Sequence, residues 1–202
     1  RDFGIEHNLF KAESAIVINK GSSNGFNLKR FSSEMIDKNK RSLLIRELGI
    51  ESKFVFGFVS RIYDRKGINE LYHAFSRLSN QLPDIVLLIV GRFEEGQIAD
   101  KSILEQLKKH SKIILVGSQM DVPLYLSLMD VFVLPAWGEG FGNVMVEAAA
   151  MGIPVIGTNA TGIRDSFQNG FNGLQIEPKN PQELENAMIL LYMNKELRMS
   201  LG

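Results

Sequence analysis

Two spacings of apolar residues alternate along the chain. Short runs free of polar interruption recur, and between them lie stretches with apolar positions three and four apart. The short runs predict strands at Ala15 to Asn19, Phe54 to Ser60, Ile85 to Gly91, Ile113 to Val116, Val131 to Leu134, Pro154 to Gly157 and Gly173 to Ile176. Several are apolar throughout, as expected of parallel strands covered on both faces. The longer spacing predicts helices. In Gly67 to Leu82, the residues Ile68, Leu71, Tyr72, Phe75 and Leu78 share one face. Pro181 to Asn194 places Leu184, Met188, Leu191 and Tyr192 likewise, with Pro181 suited to a first turn. Ile103 to His110 and Pro123 to Met129 are shorter helix patterns, and Ala148 to Gly152 reads as a helix end with a glycine stop. Gly21 to Phe31 reads as a loop and Ser32 to Lys40 as a polar connection. Strand–helix alternation of this length predicts an α/β fold: a Rossmann-like open parallel sheet with right-handed crossovers and helices on both faces. Ligands of such sheets bind at the carboxyl ends of the strands, near the switch point.

Composition narrows the chemistry. The 202 residues, 45% hydrophobic, suffice for one well-buried core. Lys plus Arg balances Asp plus Glu at 23 each, so no global field recruits nucleic acid, and anion binding requires a local cluster. Cysteine is absent, which excludes disulfides and thiolate metal sites. The three histidines, His7, His73 and His110, have no ligand spacing and read as structural or surface residues; at a helix end, a cationic His110 would suit the dipole. Apolar runs such as Ile85 to Val90 are too short to span a bilayer. No signal peptide is visible, and the chain reads as a piece of a larger protein.

Three loops carry candidate chemistry, each after a predicted strand. The first is Ser60 to Gly67. Arg61 stands at the strand end and Lys66 at the lip of the next helix, a fork of donors and a mobile point charge suited to a diphosphate. Asp64 could pair with the neighbouring Arg65. The second is Trp137 to Glu147, in which Glu139 and Glu147 flank a glycine-rich turn running into a helix. Helix-start N–H groups of Gly142, Asn143 and Val144 suit a phosphate, while carboxylates beside them can accept sugar hydroxyls. Glu139 could reach a transferred sugar and Glu147 a ribose. As ordinary structure, Glu139 is a helix-start acid, Glu147 a helix-surface residue, and Gly140 and Gly142 mark a tight turn. Trp137, the only tryptophan, could wall the site or simply pack. The third is Gly21 to Gly25, where Asn24-Gly25 favours a left-handed turn. Gly91-Arg92 and Gly117-Ser118-Gln119 end strands with glycine and could admit a flat base.

Taken in order, these pieces resemble the C-terminal, donor-binding half of a GT-B glycosyltransferase of family 4, the retaining group 1. The resemblance runs from about Val17 to Asn194. It rests on Asn24-Gly25, Ser60-Arg61 through Lys66-Gly67, Ile89-Val90-Gly91, Asp130 through Pro135, Glu139 through Glu147 with seven residues between the acids, and Gly152 to Val155. By that resemblance Arg61 and Lys66 hold the donor diphosphate, Glu139 contacts the transferred sugar and Glu147 the ribose. Gly140, Phe141, Gly142, Asn143 and Val144 cover the phosphates. Asn24, Gly25, Gly91, Gly117 and Ser118 complete the nucleotide site. No metal or other cofactor is implied, and the donor is a UDP- or GDP-sugar. The resemblance further implies residues 1–14 as the remnant of an interdomain connection and 15–202 as the donor domain. The acceptor, a glycan or lipid-linked glycan of bacterial polysaccharide synthesis, would be held by an N-terminal domain outside this chain. The full-length protein would be cytoplasmic and able to work peripherally at a membrane. Arg92 and Thr161-Gly162 depart from the family pattern, where an acidic or small residue and paired glycines are usual. A nucleotide-sugar 2-epimerase of related fold and a non-catalytic nucleotide-sugar-binding domain are the alternatives. A glycosidase using Glu139 and Glu147 has no use for the Arg–Lys pair.

Overall fold

The computed structural model describes residues 5–8, 11, 13, 25 and 27–202. Six predicted strands are present as β1 (Phe54–Val59), β2 (Ile85–Val90), β3 (Ile113–Leu115), β4 (Val131–Leu134), β5 (Val155–Thr158) and β6 (Gly173–Ile176). The strand expected at Ala15 to Asn19 lies outside the described residues. Every pairing is parallel, in the order β3-β2-β1-β4-β5-β6. All six residues of β2 are buried, which explains the unbroken Ile-Val-Leu-Leu-Ile-Val run: helices cover both faces. The chain steps outward from β1 to β3, then returns to place β4 against the other side of β1. The loops after β1 and β4 therefore leave the sheet in opposite directions and open a crevice between them.

Seven α-helices are described: α1 (Lys38–Glu47), α2 (Ile68–Gln81), α3 (Ser102–Lys109), α4 (Val122–Leu126), α5 (Asn143–Ala150), α6 (Pro181–Met193) and α7 (Lys195–Leu201). In α2, Ile68, Leu71, Phe75 and Leu78 of the predicted stripe are inaccessible to solvent, as is Ala74, whereas Tyr72 is only partly buried. α2 packs against α6, and Arg77 of α2 donates to Glu185 of α6 at 2.5 Å.

The structure corrects several expectations. Ser32 to Lys40 is not merely a connection: a 3₁₀ turn at Ser33–Met35 precedes α1, whose first turn is capped by Asp37 accepting from the Asn39 and Lys40 amides at 2.9 and 3.1 Å. None of the α1 residues is fully buried, so no strong apolar stripe announces the helix. α4 stops at Leu126, short of Met129. α7 has no counterpart among the predicted helices; Asn194 caps it through the Leu197 amide at 2.9 Å. His110 is not a helix-end cation, because burial pushes its pKa down and its Nδ1 accepts from the Lys112 amide at 3.2 Å. Among the described residues no helix is long and apolar enough to cross a membrane.

Candidate functional site

The loop after β1 is a short turn braced against the β2 side. Ile62 is buried and bridges to the strand-end segment after β2, donating to the Arg92 carbonyl at 2.8 Å. A 3₁₀ turn over Asp64–Lys66 follows, closed by the Lys66 and Gly67 amides on Tyr63 and Asp64 carbonyls at 2.9 and 2.8 Å. The turn leaves Arg61 exposed and carries Lys66 inward to 6% exposure. A buried ammonium requires a partner, and Lys66 finds it in Glu139, with which it forms an ion pair. Burial, together with the charges of Arg61 and Arg65, lowers the Lys66 pKa to about 8; the Glu139 carboxylate pulls the other way. Asp64 does not pair with Arg65 as expected. Its two oxygens accept from Asn69 Nδ2 at 3.2 Å and the Ala99 amide at 2.9 Å, so it ties the turn to the α3 side.

The loop after β4 is held by its neighbours. Trp137 donates its backbone N–H to the Arg65 carbonyl at 2.9 Å, linking the two strand-end loops. Its indole Nε1 donates to Glu70 at 3.1 Å, and Lys179 lies 4.2 Å from its ring centroid. Trp137 thus anchors the loop from behind. The Glu139 amide donates to the Thr161 carbonyl at 3.0 Å, and the Gly142 amide to Gly162 at 3.2 Å. Gly162 has φ of 80°, and a Cβ there would collide with the Glu139 carbonyl oxygen. Only glycine lets the loop after β5 approach so closely. Two of the three amides expected to face phosphate have carbonyl partners: Gly142 donates to Gly162, and Asn143 donates to Phe141 at 2.8 Å. One acceptor lies within the glycine turn and the other on the loop after β5. Asn143 Oδ1, however, is buried without a partner.

Glu147 lies in the second turn of α5, half-buried. Burial raises its pKa, and the Arg30 cation counters the rise. Arg30 is itself fixed by donating to the Met120 carbonyl at 3.0 Å. Asn24 lies outside the described residues; Gly25 is exposed, with open space where a Cβ would stand. A cleft of about 290 Å³ lies across the ends of β1 to β3, lined by Ser60, Arg61, Gly91, Arg92, Ser118 and Gln119 among others. It forms because Gly91 sits so close to the Ser60 carbonyl that a Cβ would collide, while its amide donates to Gly117 at 2.8 Å. Arg92, at its rim, donates to Glu94 at 3.0 Å.

The structure therefore brings Arg61, Lys66 and Glu139 to one side of the crevice, with Gly91, Gly117 and Ser118 along the neighbouring strand ends. Glu70, Gly162 and Arg30 do not stand out from the sequence as site residues. Glu70 is polar within a helical stripe and Gly162 follows a strand, signals too common to single them out; Arg30 gives no signal. Asp130, part of the apparent motif, is structural: its carboxylate accepts from the Val55 amide at 2.7 Å. Among the described residues no cluster of three or more His, Asp or Glu is placed to hold a metal.

The family described as "Glycosyl transferases group 1" matches residues 40–202. The capsular polysaccharide biosynthesis glycosyltransferase CapM of Staphylococcus aureus is 33% identical over 198 residues, 98% of this chain and 51% of CapM. A Campylobacter jejuni N,N'-diacetylbacillosaminyl-diphospho-undecaprenol alpha-1,3-N-acetylgalactosaminyltransferase is 29% identical, over 96% of this chain and 50% of that enzyme. Among solved structures, Anabaena HepE, crystallised with UDP and glucose, superposes with a TM-score of 0.78 at 26% identity, covering 88% of this chain and 48% of HepE. The chain spans about half the length of the curated relatives it matches.

Proposed function

The chain belongs to the glycosyl transferases of group 1, and we propose that its strand-end crevice is the donor site of a retaining enzyme that uses a UDP- or GDP-sugar. The observation that carries this reading is Lys66: a buried ammonium beside Arg61, at the end of β1, joined to Glu139 from the β4 loop. An electropositive pocket with a carboxylate at its edge suits a diphosphate bearing a sugar. The polysaccharide enzymes among the relatives, and the UDP and glucose held by HepE, support the same class of ligand.

In this reading Arg61 and Lys66 grip the diphosphate, and Glu139, released from Lys66 as the phosphates take its place, accepts from the transferred sugar. Glu147 accepts from the ribose hydroxyls. The base enters the cleft beside Gly91, Gly117 and Ser118, and Asn24 and Gly25 contribute to the nucleotide site. Gly140 to Val144 line the phosphates, and the unpartnered Asn143 Oδ1 is an acceptor for a ligand hydroxyl. No metal takes part. The bond from the anomeric carbon to the diphosphate breaks as the acceptor oxygen attacks the same face. The acceptor proton passes to the departing phosphate oxygen, whose charge Arg61 and Lys66 stabilise. Residues 15–202 form the donor domain and 1–14 a connection to an N-terminal domain, which binds a glycan or lipid-linked acceptor in bacterial polysaccharide synthesis.

Calorimetric titration of the chain with UDP, GDP and their sugar conjugates tests the reading. One nucleoside diphosphate is expected to bind saturably, and Arg61→Ala to weaken it. Silence toward every nucleotide at millimolar concentration would sink the reading.

A further inference from the structure

Glu139 stands between Gly138 and Gly140, so its own backbone does little to fix it. On one side it is pinned by Thr161 and Gly162. On the other the fixed point is Trp137, held through its backbone by the Arg65 carbonyl and through its indole by Glu70. Glu70 lies in the first turn of α2, 9% exposed, and its Oε1 accepts the indole N–H at 3.1 Å. Its Oε2 is buried with no partner, and the desolvation that raises the pKa of this carboxyl is offset by its own backbone amide and then by the Trp137 indole. Lys179 lies over the indole ring, and its backbone takes a left-handed φ of 59°. A non-glycine residue in that conformation persists only where its surroundings demand it.

We propose that Glu70 is a positioning residue for the donor site: through the Trp137 indole it holds the β4 loop at the register that keeps Glu139 facing the sugar. The inference rests on the donor-site reading above and adds a residue outside the crevice. It distinguishes Glu70 from a core residue, because the quantity chiefly affected is the contribution of the sugar and not of the nucleotide. Arg61 and Glu147 sit on other segments and keep their grip when the loop loosens.

Trp137 is the only tryptophan, so its fluorescence reports on this loop alone. Glu70→Leu removes the acceptor and is expected to raise acrylamide quenching of Trp137; Glu70→Gln keeps an acceptor and should restore the parent value. Titrations with UDP against UDP-glucose, and GDP against GDP-mannose, then measure what the sugar adds. In Glu70→Leu and in Trp137→Phe, which keeps the ring but not the N–H, the sugar's contribution is expected to fall about fivefold, with a smaller loss for the free nucleotide. Unaltered quenching, or equal losses for nucleotide and nucleotide-sugar, overturns the proposal. If Glu70→Leu does not fold, Trp137→Phe and Glu70→Gln carry the titrations: a loss in the first and not in the second supports the role, and any other pattern overturns it. Parent protein that binds no nucleotide is a separate result, which removes the donor-site reading and this inference with it.

Discussion

The two loops that face each other across the crevice are built differently. The β1 loop has a hydrogen-bonded 3₁₀ turn at its centre, with Ile62 braced on the segment after β2 and Asp64 on Asn69 and Ala99. The β4 loop has two glycines around its key carboxylate and borrows its shape from Arg65, Glu70, Thr161 and Gly162. A loop with a closed turn at its centre suits the proposed grip on a phosphate, which any donor sugar shares. A carboxylate set between glycines and held by several other segments suits the proposed sugar contact, because changes elsewhere can re-aim it.

The sharpest way to break this comparison is to remove the shared residue. Lys66→Met takes away the cation and its contact with Glu139 while keeping an unbranched side chain in the buried position. Because charge-assisted hydrogen bonds are worth about 1.5–3 kcal/mol, nucleotide affinity should fall roughly ten- to a hundredfold. Thermal stability should hold, since Glu139, with 22% of its side chain exposed, can be hydrated. Unchanged affinity in calorimetry would mean that the β1 loop is not the phosphate grip.

A pair of glycine substitutions separates the borrowed scaffold from the turn itself. Gly162→Ala must place a Cβ against the Glu139 carbonyl at a φ of 80°. It should cost about 1–3 kcal/mol in denaturant unfolding and weaken nucleotide-sugar binding with it. Gly140 has open space where a methyl would stand and no positive φ, so Gly140→Ala should leave stability unchanged or raise it by about 0.4–1 kcal/mol. If it nonetheless weakens nucleotide-sugar binding, the glycine is there for the ligand. Equal stability losses at the two positions would contradict the loop's dependence on Thr161-Gly162.

The same contrast governs what can be read from the chain. Apolar runs such as Val131–Leu134 and the α2 stripe coincide with their elements because burial alone specifies them. The β1 loop is legible for a similar reason, since Arg61 and Lys66 are fixed by their distance from one strand. What stays hidden is contributed by other segments. α1 has no fully buried residue and so leaves a weak periodic signal. Three amides look available to phosphate when only their own turn is considered; the Gly162 carbonyl takes one of them. The Lys66–Glu139 pair joins two loops far apart in sequence, and the motif reading gives each residue a different part of the ligand. Glu70 and Trp137 are separated by 67 residues, and no local pattern connects them.

The smallest effect discriminates most finely between the loops, because it titrates Lys66 alone. Its pKa in the folded chain is about 8, lowered from 10.5 by burial first and then by Arg61 and Arg65. A nucleoside diphosphate is fully ionised above neutrality, its last pKa being near 6, and Arg61 stays charged throughout. Binding should therefore weaken as pH rises from 7 to 9, by about tenfold at most, and proton uptake on binding should appear near pH 8.5. Stability moves with the opposite sign. Between about pH 8 and 10.5 the unfolded chain keeps a proton on this lysine that the folded chain has released, so Lys66 makes stability rise with pH across that window. Lys66→Met should flatten both trends, and Lys66→Arg should flatten the binding trend while keeping the charge. A pH profile of affinity that is the same in Lys66→Met and parent would assign the titration to another group, and with it the phosphate grip.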